Sequence, residues 1–576
     1  MADLFLQQTP WDPLALTFQS LREGGSGREL PFRLLVLGDF GDRRTPAGER
    51  EPVAVNPANF EEVLRARGIR LQLTVENCLG GTGEETEALE VPIDGAAGFT
   101  PRGLLEGVPQ LRAAWEVLAG LAGEDGPATE GEEARKTALR EEVLRAAGGD
   151  RRVAFAELSG RLERQLDRIL HHPEFRTLEA NWLGVHFLLG HIHPESNAQV
   201  VLLDMDRETL HEDFRGQPEL AESVLFDRMY VRELGQYGGV PFGALITTYA
   251  FGPGSEDAGL LRSLARVGAA CQCPVIGQAG CAVLGAVEAA EVAEIPDLRE
   301  AHAGAVGRAW RDLAASPEAR FLGLGFPEIV LRGRYDYLRD DIPLVAYREG
   351  RATADHGPLT GSAAFAFGAN LLESFERYRL CSDIAGEPGG AVRGLAPGRD
   401  LDWMDTGMAT PVQISETRER DLAELGFIPL SASREVPGQV VVHAAPSLAW
   451  GARRGRAPGA EGEGMDEQVA AQLPYQFLVC RVGHFLKVIQ RDNLGTLKSP
   501  VEVQSELNSW LSGYVSDVEN PSEGVRARRP FREARVEVAD GAGADGRFDM
   551  TLRLVPHLKY LSSRFALTLH SSLGPR

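Results

Sequence analysis

Cysteine, long apolar runs and positive charge are all scarce in this chain. Only six of the 576 residues are cysteines, too few for the disulfide framework that stabilises small secreted domains. No apolar run reaches the 18 or more residues that a membrane-spanning helix requires. The formal net charge of −23 argues against a nucleic-acid-binding surface and against attraction to anionic lipid.

A secretory signal is missing too, because the N-terminus does not place a basic segment before an apolar one. Most cysteines stand in apolar stretches, which indicates buried free thiols in a reducing compartment. They are Cys78, Cys271, Cys273, Cys281, Cys381 and Cys480. With 43% hydrophobic and 25% charged residues, the composition is typical of a globular protein of two or more domains. We expect a soluble cytosolic protein with no nucleic-acid partner and no direct membrane insertion.

Motifs for catalysis are also lacking. No Gly-x-Ser-x-Gly sequence marks a nucleophile. An alternative interpretation is an α/β nucleotide-binding protein or enzyme that uses the Gly38–Asp42 turn, which follows the nearly continuous apolar run Phe32–Leu37. That turn has neither the spacing of a dinucleotide-binding loop nor the Gly-Lys-Ser/Thr ending of a P-loop. An ordinary turn between a strand and a loop is the favoured interpretation.

Candidate metal ligands do not complete a site. Five histidines lie between residues 171 and 193, but no carboxylate or thiolate joins them at a metal-binding spacing. Cys271 and Cys273 are separated by one residue instead of two, in an Ala/Val-rich stretch that indicates buried thiols. We therefore predict no catalytic residue, no metal site and no cofactor.

Hydrophobic periodicity divides the chain into two mixed α/β (α+β) units. In the first unit the pattern predicts a buried central strand at Phe32–Leu37, a helix that begins at Pro57 after Asn56, and a helix over Pro101–Leu121. A Gly148-Gly149 break follows a modest helix over Thr137–Ala147. The predicted boundaries are 1–121 for the first unit, 122–154 for a linker with a short helix, 155–530 for the second unit and 531–576 for the closing strands.

A late segment carries the clearest helical pattern. Apolar residues recur at helical spacing from Val469 to Ile489, whereas Arg481, Lys487 and Arg491 fall elsewhere on the wheel. The pattern predicts an amphipathic helix that is bent near a proline and ends in an Asn-Leu-Gly turn.

Alternating strands stand at both ends of the chain. Terminal strands carry unpaired backbone groups and can be donated to the sheet of another molecule. The hairpin of 534–539 with 547–555 is the candidate acceptor. The apolar positions are Leu14, Leu16 and Phe18 in the first strand and Val536, Val538, Phe548, Met550, Leu552, Leu554, Phe565, Leu567 and Leu569 in the last three. Pairing of these strands within one subunit is the alternative, and the residues alone favour it.

A basic run stands just before the closing strands. It consists of Arg526, Arg528, Arg529 and Arg532, the local positive cluster of an acidic chain. It is either a solvated turn or a patch that meets an acidic face of the next copy in an assembly.

Two ordered series of short segments carry a family resemblance. The first comprises Glu29–Phe32, Leu37–Phe40, Asn59–Leu64, Asn77–Leu79 and Phe99–Leu111. The second comprises His172–Phe175, Leu178–Gly184, Glu233–Gly243, Tyr249, Phe365–Phe367, Leu425–Leu430, Leu473–Lys498 and Arg529–Val536. The first series resembles the small subunit (TssB or VipA type) of bacterial type VI secretion contractile sheaths. The second resembles the large subunit (TssC or VipB type).

The resemblance implies a structural protein and not an enzyme. Such a subunit polymerises helically around an inner tube of stacked, Hcp-like rings and contracts to propel the tube. The implied partners are further copies of the chain, the inner tube and a baseplate, in the bacterial cytoplasm. In the sheath family, strands from neighbouring subunits join a hairpin, so the resemblance reverses the preference for pairing within one subunit.

The chain departs from the family in two ways. The two subunits are normally separate polypeptides, whereas here they are joined through residues 122–150. Large subunits usually carry an extra helical segment before the His172–Phe175 region, and a recycling unfoldase grips its short peptide. Here Thr137–Ala147 resembles the last helix of the small subunit, and almost nothing remains before Phe155. We therefore expect no recycling by an unfoldase.

Overall fold

The fold is mixed α/β, as the sequence predicts. The computed structural model of the chain describes residues 30–80, 86–123, 133–193, 196–215, 219–236, 238–337, 340, 342–350, 357–396, 408–453, 468–493, 499–518, 520–540, 548–557 and 567–573. Within these residues, every helix is too short or too polar to cross a lipid bilayer.

The helices and strands are numbered in chain order. The helices are α1 Phe60–Arg67, α2 Pro101–Gly107, α3 Pro109–Ala122, α4 Glu133–Ala146, α5 Arg151–Leu170, α6 Pro173–Leu189, α7 Arg207–Arg215, α8 Val224–Phe226, α9 Ser255–Cys271, α10 Ala289–Glu294, α11 Leu298–Ala305, α12 Arg308–Ala314, α13 Ala363–Tyr378, α14 Glu416–Leu425, α15 Ala449–Arg453, α16 Leu473–Asn493, α17 Pro500–Ser512 and α18 Glu523–Arg528. The strands are β1 Phe32–Gly38, β2 Val53–Val55, β3 Ile69–Glu76, β4 Thr86–Ile93, β5 Ala198–Asp204, β6 Phe242–Phe251, β7 Val275–Ala279, β8 Leu322–Phe326, β9 Ile329–Arg332, β10 Leu359–Gly361, β11 Ala391–Val392, β12 Phe427–Pro429, β13 Ser431–Ala432, β14 Val440–Val441, β15 Phe531–Asp540, β16 Phe548–Pro556 and β17 Leu567–Leu573.

A seven-stranded sheet in the order β12-β8-β7-β6-β1-β5-β2 forms the centre of the molecule. Its strands are parallel except for β2, which runs antiparallel to β5. Strand β1 lies between β5 and β6, and its residues Leu34 to Leu37 have no exposed surface. A strand this apolar requires a neighbour on each edge and cover on both faces. The predicted buried strand is therefore confirmed.

The position of β1 in this sheet differs from the prediction that the first unit is compact by itself. Both neighbours of β1 come from the second predicted unit, and β2 also joins this sheet through β5. The two units therefore share one sheet. Local periodicity cannot reveal such a sharing, because it identifies a strand without identifying its partners.

Helices cover both faces of this sheet. Leu34 and Val36 of β1 belong to the apolar core that includes α5, α6 and α13. Leu35 and Leu37 point to the other face, where α9 and α12 contribute to a second core. Alternate residues of one strand thus connect the two layers of helices.

Two helix starts differ from the predictions. Helix α1 begins at Phe60 because the side chain of Asn56 accepts hydrogen bonds from the amides of Ala58 and Asn59, which makes a turn before the helix. The predicted helix over Pro101–Leu121 is two helices, α2 and α3, separated at Val108. Pro109 lacks the amide hydrogen that a continuous helix would need.

A short turn joins the two predicted units of the chain. The predicted Gly148-Gly149 break lies between α4 and α5, and both glycines adopt positive φ angles, of 63° and 87°. Such left-handed conformations favour glycine. The side chain of Asp150 then caps α5 by accepting from the amide of Arg152 at 2.8 Å. Only residues 147–150 separate the two helices.

We predict that residues 1–148 and 149–576, produced together as separate chains, co-purify as a 1:1 complex. Residues 149–576 produced alone should aggregate, because the removal of β1 exposes the facing edges of β5 and β6 in the middle of the sheet. Size-exclusion chromatography and mass determination would measure both outcomes. A stable monomer of 149–576 with the thermal midpoint of the whole chain would contradict the shared sheet.

Candidate intersubunit interface

Helix α16 is buried along most of residues 473–488, and Pro474, Gly483 and Lys487 are partly buried. The predicted helix is present, but the assignment of Arg481 to its polar side is wrong, because Arg481 is only 5% exposed. Leu473 and Phe477 pack in the core that includes α6 and α13, whereas Val482 and Leu486 pack in a separate core beneath β15 and β16. The helix therefore links the central sheet to the C-terminal strands.

Arg481 holds the start of β1. Its guanidinium donates to the backbone oxygen of Pro31 at 3.0 Å and to that of Leu30. Its central carbon lies 5.2 Å from the ring centre of Phe375 and 4.7 Å from that of Phe485. Charge-assisted hydrogen bonds and cation–π contacts offset the cost of burying this charge. The two residues before β1, Leu30 and Pro31, are thus fixed to α16.

His484 attaches α16 to another part of the fold. Its Nε2 lies 2.9 Å from the backbone oxygen of Cys271, at the end of α9. Burial lowers the pKa of His484 to about 3, so the neutral imidazole donates this hydrogen bond at physiological pH. The helix is held by polar contacts as well as by apolar packing.

The last three strands form an antiparallel sheet in the order β15-β16-β17. Its register places Val536 opposite Leu552 and Leu552 opposite Leu569. In a single copy of the chain, β17 therefore pairs with β16. Phe548, Met550 and Leu567 also occupy strand positions in this register, whereas Leu14, Leu16, Phe18 and Phe565 lie outside the described residues.

One face of this sheet is apolar and the other is charged. Val536, Leu552 and Leu554 are at most 3% exposed, and Val538 is partly buried against the same core. Leu507 and Leu511 of α17 belong to that core. On the opposite face, the side chains of Arg535, Glu537 and Arg553 are more than half exposed. The alternation predicted for β15 is confirmed.

The free edge of β15 contacts side chains of α17. Asn508 accepts from the amide of Val536 at 2.9 Å and donates to the oxygen of the same residue at 2.8 Å. Gln504 accepts from the amide of Val538 at 2.8 Å. The sequence pattern did not indicate a role for Gln504 or Asn508, and it assigned Arg481 to the polar side of its helix. The available signal was a pair of amide side chains four residues apart, on a helix that precedes a strand.

The basic run forms α18 and the start of β15. Arg526 is partly buried, and its guanidinium lies 3.9 Å from the carboxylate of Glu523. Arg528, Arg529 and Arg532 are exposed and form no ion pair with a described carboxylate. The cluster is solvated in the single chain, and its role between copies stays a prediction.

Backbone amides of the Gly38–Asp42 turn already donate hydrogen bonds to a carboxylate of the protein. Asp204, at the end of β5, accepts from the amide of Phe40 at 3.2 Å and from that of Asp42 at 2.8 Å. The amide of Gly41 donates to Asp39 at 3.0 Å. These backbone donors are the ones that a phosphate would need in a strand–turn nucleotide site. The geometry thus favours the structural interpretation of the turn.

Two of the candidate metal-binding histidines lie within hydrogen-bond distance of a glutamate carboxylate. His171 Nε2 lies 3.2 Å from Glu349, and His191 Nδ1 lies 2.8 Å from Glu373. Among the described residues, no three His, Cys, Asp or Glu side chains are placed to hold a metal ion together. All six cysteines are free, and burial raises the pKa of Cys271 to about 12.

Comparisons with known proteins agree with this architecture. The chain matches the model of the type VI secretion protein VipA over residues 14–146. It matches the EvpB/VC_A0108 tail sheath N-terminal domain over 152–449 and the tail sheath gpW/gp25-like domain over 463–573. These matches define the class as tail-sheath proteins.

Within that class, the chain belongs to the type VI secretion sheath family and carries VipA-like and VipB-like parts in one polypeptide. It is 31% identical over 433 residues to the type VI secretion system sheath protein TssC1 of Pseudomonas aeruginosa. This match spans 73% of the chain and 85% of that relative. The family resemblance seen in the sequence is confirmed, and membership implies self-assembly into a polymer.

We predict that Asp204→Asn flattens the pH dependence of the stability of the unassembled chain. Burial raises the pKa of Asp204 to about 6, against about 3.9 in an unfolded chain. As the pH rises through this interval, the unfolded state ionises first, so the native state loses about 3 kcal/mol by pH 7. Urea unfolding at pH 4 to 7 would measure the change.

The matched control for this experiment is Asp312→Asn, because the Asp312 side chain is 57% exposed. The control should retain the pH dependence of the unaltered chain. Equal slopes for the unaltered chain and Asp204→Asn would contradict the assignment.

Proposed function

We propose that this chain is the structural subunit of a contractile sheath, which polymerises helically around an Hcp-like inner tube and contracts to propel it. One observation carries the proposal: the C-terminal sheet and the residues just before β1, Leu30 and Pro31, are fixed to the same helix, α16. Both ends of the chain that can link subunits are thereby anchored in the central fold. A strand donated by one copy would pull directly on the body of the next copy.

Contraction in this proposal is a switch between two packings of the same lattice. Head-to-tail donation of a strand generates an open helix instead of a closed dimer. Energy stored in the extended lattice during assembly is released through the interfaces between subunits. The stroke therefore requires no nucleotide, cofactor or catalytic group in the subunit.

The proposed organisation keeps the two sheath-subunit units as 1–121 and 155–530, with 122–154 as the joint and 531–576 as the intersubunit strands. The short turn between α4 and α5 supports this arrangement. Covalent fusion fixes the ratio of the two units at 1:1 and gives each a high effective concentration of its partner.

The same turn supports a sheath that an unfoldase does not recycle. Only residues 147–150 separate α4 from α5, so this joint has no room for the extra peptide-bearing segment of other large subunits. The expected partners are other copies of the chain, the inner tube and a baseplate that nucleates assembly in the bacterial cytoplasm.

Electron microscopy of the purified chain should reveal hollow helical tubes. We predict that removal of residues 1–20 leaves a folded protein without a normal contractile lattice, because the lattice loses its donated strand. The thermal midpoint of the unassembled truncated chain should stay within a few degrees of the original, since β1 begins at Phe32. Normal contractile tubes from the truncated chain would contradict donation by the N-terminal strand.

We also predict that exchanging Arg528 and Arg529 for Glu weakens polymerisation several-fold and reduces its dependence on salt. The reason is that the exposed basic run meets an acidic face of the next copy. Light scattering between 50 and 500 mM salt would measure assembly. The control is Arg308→Glu, because Arg308 is 90% exposed on α12. Unchanged assembly of the double variant would identify the run as a solvated turn.

A further inference from the structure

The surface formed by α10, α11 and the turn between them is strongly acidic. Residues 288–300 contain five carboxylates, and all five residues are exposed. The one arginine of this stretch, Arg299, forms an ion pair with Glu424 of α14. We call the five residues the acidic face: Glu288, Glu291, Glu294, Asp297 and Glu300.

The charges of the acidic face are uncompensated within the described part of the chain, where none of the five carboxylates forms an ion pair. Glu288 and Glu291 make the capping box of α10, and Asp297 caps α11. Carboxylates three residues apart on a helix repel one another and lower the stability of the single subunit. Cations of another molecule would relieve this repulsion.

An exposed apolar side chain stands beside these charges. Val287 directly precedes the acidic face and is 86% exposed, more than the other large apolar side chains of the described residues. An apolar residue with a charged rim is the arrangement found where two proteins meet. The acidic face therefore has the composition of a contact surface and not only that of a solvated helix.

The basic run has the same arrangement with the opposite charge. Val525 directly precedes it and is 39% exposed. Arg528 and Arg529 are exposed and pair with no described carboxylate. Each surface thus presents an exposed valine next to unpaired charges of one sign, and the two signs are complementary.

The acidic face lies at the carboxyl ends of the parallel strands. Strand β7 ends at Ala279, and a turn over Cys281–Leu284 connects it to Val287 and α10. Helix α11 returns to this turn, where His302 Nδ1 lies 2.8 Å from the oxygen of Val283. Because neighbouring parallel strands end at the same edge, both helices stand at that end of the central sheet.

The basic run lies at the other end of the sheet. Phe375, in the last turn of α13, stacks on Phe32, the first residue of β1, with 5.3 Å between ring centres. Ser382 follows α13, and its hydroxyl donates to the oxygen of Ala527 in α18 at 2.6 Å. The length of the strands therefore separates the two surfaces within one chain. Two copies placed head to tail can bring them together, and such pairing generates an open helix.

We propose that the acidic face receives the basic run of the next copy, with Val525 against Val287 and the arginines among the carboxylates. This inference rests on the proposed sheath function and identifies the acidic surface that the basic run meets. The contact uses side chains alone, so salt screens it and weakens it. It also guides an incoming copy, because opposite charges on two surfaces speed their encounter.

Charge exchange between the two surfaces tests the pairing. Glu294→Arg with Glu300→Arg reverses two charges that cap neither α10 nor α11. This double variant should weaken polymerisation several-fold, as Arg528→Glu with Arg529→Glu should, because like charges then meet. All four changes in one chain should return assembly to within about twofold of the unaltered chain and restore its dependence on salt. Light scattering at low and high salt would measure both.

The matched control reverses two charges on another exposed helix. Glu208 and Glu212 are exposed on α7, which also contains arginines. Glu208→Arg with Glu212→Arg should change assembly by less than about twofold. It should also fail to rescue Arg528→Glu with Arg529→Glu. In the unassembled chain, Glu294→Arg with Glu300→Arg should not lower the thermal midpoint, since repulsion within the acidic face decreases.

The other outcomes overturn different claims. A four-residue variant that assembles more weakly than either double variant would overturn the pairing, and rescue by the α7 control would do the same. Tubes of the unaltered chain would in both cases leave the sheath function intact. Failure of the unaltered chain to form tubes would instead overturn the proposed function.

Chemical cross-linking in assembled tubes identifies the contact directly. Arg528→Lys with Arg529→Lys keeps both charges and supplies primary amines, which a water-soluble carbodiimide joins to carboxylates in contact. Tubes made from isotope-labelled and unlabelled chains would show by mass spectrometry whether a link joins two copies. We expect links between these positions and residues 288–300 of another copy. Links to carboxylates elsewhere alone, or no link between copies, would overturn the assignment.

Discussion

The insertion of β1 between β5 and β6 is the constraint on which the rest of the molecule depends. A strand whose residues Leu34 to Leu37 are fully buried needs partners on both edges, and the second predicted unit supplies them. Neither unit can then form the central sheet alone. The same insertion places Leu30 and Pro31 against Arg481 of α16.

Helix α16 extends this constraint to the C-terminal strands. Its first turns belong to the core of the central sheet, and its later turns belong to the core under β15 and β16. Protein interiors are densely packed and transmit displacement. A movement of the central sheet therefore carries the terminal sheet with it. In the proposed contractile sheath, this connection would couple rotation of the subunit body to movement of the C-terminal strands.

The sequence predicted those features that depend on local pattern. The apolar run Phe32–Leu37 and the alternation around Val536 were enough to predict a buried strand and a half-buried strand. The partners of β1 could not be predicted, because pairing across more than 150 residues leaves no local pattern. Arg481 was misjudged because periodicity assigns charged residues to solvent, whereas backbone oxygens and aromatic rings compensate its charge here. Asn508 was missed for the same reason, since a polar helical residue resembles a surface residue until its partner strand is in place.

The large distance in sequence between β1 and its partner strands β5 and β6 also matters during protein synthesis. A ribosome that has just completed β1 must add about 200 more residues before β6 is available, which takes about 10–40 s at usual rates of synthesis. During that interval, one of the most apolar segments of the chain lacks one or both of its partner strands, because β5 follows after about 160 residues and β6 only later. The nascent chain therefore needs a temporary cover for Phe32–Leu37, either from its own first helices or from a chaperone. A single polypeptide brings the missing strands to β1 by continued synthesis, without an encounter between two molecules.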